Sequence, residues 1–121
     1  SDAFLEGAVT YSNEAKMRTL KVKKETLDTV GAVSEETARE MALGIAERTG
    51  SDISVVTTGI AGPGGGTKEK PVGLVYIGLY YKGNVKAYRH VFSGDRKEVR
   101  TKAAVEALDK VRRAILEDNI E

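Results

Sequence analysis

The sequence has no cysteine and no tryptophan, one histidine, two prolines and few aromatics, 6% of its 121 residues. The missing cysteines exclude a disulfide framework, a thiolate metal site and a cysteine nucleophile. A single histidine, His90, excludes a histidine-rich metal cluster. No hydrophobic run approaches the roughly 18 residues of a membrane span, and no signal peptide is read at the start, so the expected compartment is the cytoplasm. Charge of either sign is not in excess: 19 basic and 18 acidic residues leave a formal net charge of +1. Nothing in that balance favours nucleic acid or an acidic surface as partner. The densest basic stretch, KVKKE, ends on an acid and reads as a solvated face.

What is present is an ordinary globular composition, 40% apolar and 31% charged, sized for one domain with a moderate core. FLEGAVTY, from Phe4 to Tyr11, reads as a short strand. SNEAKMRTL reads as a helix start, with Ser12 or Asn13 as N-cap, and KKETLDTVG as a further helical turn or two ended by Gly31. The clearest helix runs from a Ser34 cap to Gly50, with Ala38, Met41, Ala42, Ile45 and Ala46 on one stripe. DISVVTT is too short and too β-branched for a helix and reads as a strand. PVGLVYIGLYY and VKAYRHVF form a hairpin about the turn KGN. Asp95, with Glu98 three residues on, caps a last helix whose expected buried stripe is Val99, Ala103, Ala107, Leu108, Val111 and Ile115. This order predicts a layered α/β/α domain with a mixed sheet that includes one β-hairpin.

Glycine is concentrated rather than scarce. TTGIAGPGGGTKEKPVG, Thr57 to Gly73, holds six of the thirteen glycines and both prolines, Pro63 and Pro71. Glycines supply positive φ, so such a connector can be no more than a flexible loop. The prolines stiffen it, however, and it leaves the end of a strand, where α/β sheets place their ligands. Successive glycines let backbone N–H groups approach an anion with no Cβ in the way. The stretch is not a phosphate-binding P-loop, because Gly64 is followed by glycines and not by Lys-Ser/Thr. Nor is it a dinucleotide fingerprint, because it leads into a strand. The expectation is that residues 59–67 line a concave site. In TYSNEAK, Tyr11 ends a strand and Lys16 sits one turn into a helix. They could serve as a proton-transfer pair, or be a strand-end aromatic and a solvated lysine.

VTYSNEAK, GAVSEE, TGIAGPGGGTKEKPVG and FSGDRKEVR, in that order, resemble the C-terminal domain of the CinA competence/damage-inducible family. The same domain stands alone as the nicotinamide mononucleotide deamidase PncC. The resemblance implies hydrolysis of the carboxamide of nicotinamide mononucleotide to nicotinate mononucleotide and ammonia, in pyridine-nucleotide salvage, with no metal and no cofactor. It implies a serine nucleophile assisted by Tyr11 and Lys16, and substrate binding by Thr58, Gly59, Gly62, Gly64, Gly65, Gly66 and Arg96. It also implies one domain over residues 1–121 whose family serine, strand and first helix lie upstream of Ser1, so that these 121 residues alone are expected to be inactive. The alternative is a non-catalytic nucleotide-binding or interaction module. A homodimer is the expected assembly, for which the tyrosine-bearing hairpin (Tyr76, Tyr80, Tyr81 and Tyr88) offers one candidate face, although helices could equally cover it.

Overall fold

A computed structural model describes residues 22–120, with side chains to residue 118. The strand expected over 4–11, the helix after it, Tyr11 and Lys16 lie outside the described residues.

Helix α1 (Lys24–Thr29) has no side-chain cap of its own at Lys23. At six residues it is too short to persist alone. It is held by Glu40 of the next helix, whose carboxylate accepts from the Lys23 N–H at 2.8 Å and from Thr26 Oγ1 at 2.6 Å. Helix α2 (Glu35–Thr49) begins where Ser34 Oγ accepts the Thr37 N–H. It stops at Gly50, whose φ of 68° and N–H bond to the Ala46 carbonyl close the last turn. The expected stripe of Ala38, Met41, Ala42, Ile45 and Ala46 is buried.

Strands β1 (Ile53–Gly59), β2 (Leu74–Tyr81) and β3 (Asn84–Val91) lie side by side in chain order. The two-residue turn Lys82-Gly83, with φ of 47° and 90°, matches the twist of the strands it joins. Among the described residues the sheet is antiparallel throughout. Helix α3 (Arg96–Ile120) opens on a reciprocal cap: Asp95 Oδ1 accepts the Glu98 N–H and Glu98 Oε1 accepts the Asp95 N–H, each at 2.9 Å.

The sheet separates two cores. On one face Val22, Leu27, Met41 and Ile45 pack together with Val56. On the other, Val75 and Ile77 pack against Val99, Ala103 and Ala107. Helix, sheet and helix therefore form the three expected layers. Leu74 and Ile77 are fully buried in the central strand, and each contributes about 1.5–3 kcal/mol by leaving water.

One expectation is corrected here. Leu108 is 68% exposed, not part of the buried stripe of α3. The sheet presents bulky Val55, Val75 and Ile77 to this helix, so the helix answers with Val99 and the small Ala103 and Ala107. Leu108, one residue on from Ala107, is turned about 100° away. Val111 and Ile115 are half-buried.

Candidate functional site

The glycine connector leaves β1 and returns to β2 as a braced arch. At its base Ile60 donates to the Leu74 carbonyl at 2.9 Å and Gly73 donates to the Ile60 carbonyl at 2.7 Å. Gly59 must be glycine for packing, because a Cβ there would stand 2.7 Å from the Leu74 carbonyl. Further out, the Thr67 N–H donates to the Lys70 carbonyl at 2.8 Å, and the Lys70 N–H returns to Thr67 Oγ1 at 3.0 Å.

Between these two closures the backbone is left open. The N–H groups of Ala61, Gly62, Gly64, Gly65 and Gly66 have no hydrogen-bond partner among the described residues. Gly64, Gly65 and Gly66 are exposed to solvent. A Cβ on Gly64 would meet nothing within 4 Å, so nothing in the fold itself requires a glycine there. Bare donors on a braced loop at a strand end suit an anion or a developing oxyanion.

The arch is tied to the start of α3. Arg96 Nη1 donates to the Gly62 carbonyl at 3.3 Å while the residue stays largely exposed. Arg96 and Gly62 are thus brought together, and the guanidinium keeps further donors beyond this bond. From Arg96 an open groove of about 630 Å³ runs along α3 past Arg100 and Ala104 to Leu108.

Behind the arch lies the segment 30–33, and here Thr58 departs from its expected role. Thr58 is buried, and its hydroxyl donates to the Ala32 carbonyl at 2.8 Å, so it braces this segment. Ser34 Oγ and Thr37 Oγ1 donate to the Gly31 carbonyl at 2.9 and 2.7 Å. Lys70 Nζ donates to the Val30 carbonyl at 2.6 Å. Sequence reasoning missed Lys70 altogether; its partner is 40 positions away and no periodicity links them.

The titratable groups that are shifted lie away from the arch. His90 is held below its usual pKa, first by burial and then by Lys110, against a smaller opposing pull from Glu106. Its Nε2 is buried with no partner among the described residues, and its ring stacks on Phe92 at 5.3 Å between centroids. Asp118 is lowered by hydrogen bonds from Lys82 and Tyr81, which fasten the hairpin turn to the end of α3. Among the described residues no group of three metal-ligating side chains comes together, and no helix is long and apolar enough to cross a membrane.

Comparisons with known proteins bear on this arrangement. The family model described as "CinA C-terminal domain" matches residues 1–115. A CinA-like protein of Kosmotoga olearia is 60% identical over 116 residues, which cover 96% of this chain and 28% of that protein. A Clostridium acetobutylicum protein named for competence-damage inducibility shows the same 60% identity and the same coverage. The chain thus spans little more than a quarter of the curated relatives it matches. Among solved structures, a competence/damage inducible protein of Agrobacterium tumefaciens is 43% identical with a TM-score of 0.83, over 86% of this chain and 64% of that one. A CinA superfamily protein of Klebsiella pneumoniae matches with a TM-score of 0.85 at 35% identity, over 89% of this chain and 68% of that one.

Proposed function

The chain belongs to the family of CinA C-terminal domains, and from that premise we propose that it is the nucleotide-binding part of an amidohydrolase acting on nicotinamide mononucleotide. The observation that carries the reading is the row of unpartnered N–H groups from Ala61 to Gly66, braced at both ends and joined to Arg96.

In this reading the substrate's 5′-phosphate or the oxyanion of its carboxamide takes the free N–H groups, and Arg96 adds a charge-assisted contact. A serine oxygen, supplied from outside these 121 residues, attacks the carboxamide carbon. In this scheme Lys16 accepts the serine proton, and Tyr11 relays it toward the leaving nitrogen. Ammonia departs, and water then cleaves the acyl ester to release nicotinate mononucleotide.

The test has two arms. Calorimetric titration of the 121-residue chain with nicotinate mononucleotide is expected to show binding that Arg96→Ala weakens. The chain alone is expected to release no ammonia from nicotinamide mononucleotide. A longer protein that adds the serine-bearing segment is expected to do so, and to stop on Lys16→Met with its fold intact. Ammonia release by the 121 residues at the rate of the longer protein would place the nucleophile inside this sequence and defeat the scheme. Binding with no ammonia release from either form would favour the second reading, a non-catalytic nucleotide-binding module.

A further inference from the structure

Three consecutive carbonyls, those of Val30, Gly31 and Ala32, are each taken by side-chain donors. Ser34 and Thr37 serve Gly31 locally, from the first turn of α2. The other two donors come from the two feet of the glycine arch: Thr58 from the end of β1 and Lys70 from the approach to β2. The arch therefore springs from the 30–32 segment on one side and lands on it again on the other.

Lys70 is built for the landing. Its backbone N–H and carbonyl are both engaged with Thr67, which fixes the direction in which the side chain leaves. Its ammonium is half-buried over Gly31, where a Cβ would stand only 3.2 Å from Nζ. Gly31 has a φ of +83°, in the left-handed region that favours glycine, and its missing Cβ leaves room for the ammonium. Among the described residues no carboxylate pairs with this ammonium; its described partner is the neutral Val30 carbonyl. By contrast Lys68, on the same loop, is exposed and makes no such bond.

We propose that Lys70 is a positioning residue: its ammonium fastens the glycine arch to the 30–32 segment and thereby holds the free N–H groups of Gly64 to Gly66 at the spacing that a mononucleotide phosphate requires. The second half of this statement rests on the mononucleotide reading given above; the first half does not. Lys70 itself does not touch the ligand. It acts by removing loop freedom before binding, which would otherwise be lost on binding.

The experiment compares Lys70→Met, Lys70→Arg and Lys68→Met with the parent chain. Amide hydrogen exchange reads the loops, and calorimetric titration with nicotinate mononucleotide reads the site. Lys70→Met is expected to speed exchange at the hydrogen-bonded amides of both segments together, Gly31 on one side and Thr67 and Lys70 on the other, leave α3 protected, and weaken the mononucleotide about tenfold, because loop freedom is then lost on binding and not beforehand. Lys70→Arg, which can still reach a carbonyl, is expected to restore most of both, and Lys68→Met to change neither. If Lys70→Met leaves exchange in either segment unaltered, the fastening role is overturned. If affinity falls with exchange unaltered, Lys70 is a ligand contact and not a positioning residue, which also overturns it. If the parent chain binds no mononucleotide, the mononucleotide reading falls, while the exchange data still decide whether Lys70 fastens the arch.

Discussion

Gly78, in the central strand β2, lies directly under the carbonyl of Ala38 in α2, and any Cβ at position 78 would run into that carbonyl. The same Cβ would stand 3.1 Å from the Val56 side chain on the neighbouring strand. The nearer obstacle is backbone, so that contact cannot be relieved by a rotamer change. Gly78→Ala is therefore expected to cost about 2–3 kcal/mol in denaturant unfolding, through overpacking. A loss below about 0.5 kcal/mol would mean that α2 does not press on the sheet as described.

Gly64 offers the opposite case. It has open space around it, and its φ is not among the positive ones. Gly64→Ala is expected to leave stability within about 0.5 kcal/mol of the parent chain. Under the mononucleotide reading the added methyl stands where a ligand approaches the bare N–H row, so titration with nicotinate mononucleotide should show weaker binding. Unchanged affinity would remove Gly64 from the site.

The two sides of α3 should respond differently to truncation. Val99 is 1% exposed and Leu108 is 68% exposed. Val99→Ala is expected to lower the unfolding free energy by about 2 kcal/mol, and Leu108→Ala by less than about 0.5 kcal/mol. Equal losses in a denaturant titration would contradict the orientation of the helix.

His90 gives a pH dependence whose sign can be worked out. Its folded-state pKa lies below the ordinary 6.5, chiefly from burial, with Lys110 adding to the shift and Glu106 opposing it. Above pH 6.5 the ring is neutral in both states, and its full contribution is present. As the pH falls through that value the unfolded chain takes the proton first, so stability declines, by at most about 1.4 kcal/mol per pH unit from this residue. His90→Phe keeps an aromatic ring beside Phe92 and removes the titration. The stability of the parent chain relative to this variant should be lower at pH 5.5 than at pH 7.5, and an identical difference at both would show that His90 does not titrate as argued.

Much of this fold could be read from local chemistry. Ser34, Gly50 and the Asp95–Glu98 pair announce helix ends because their bonds close within a few residues. The hairpin was legible for the same reason. On α3 the buried Val99, Ala103 and Ala107 were legible and the exposure of Leu108 was not, because 108 keeps helical spacing with 104, 111 and 115 just as 107 does with 99 and 103. The bulk of Val75 and Ile77 on the facing strand decides that Ala107, and not Leu108, faces the sheet. The glycine stretch announced an open backbone, and the bare N–H groups at 61, 62 and 64–66 were legible in it. Thr58 was read as a ligand contact, yet the structure gives its hydroxyl to Ala32. Lys70 left no trace in the sequence, because a single bond across 40 positions has no period and no motif of its own.

The order of the sheet, β1 then β2 then β3, is also the order in which the strands leave the ribosome. Each described strand therefore meets its neighbour as soon as the newer one has been made, and none of these three waits for a distant partner. The helix that covers Val75 and Ile77 comes last, with Val99, Ala103 and Ala107. During synthesis that side of the three described strands stands uncovered until residues 99–107 arrive. A nascent polypeptide halted before residue 99 presents those two side chains to whatever surrounds it.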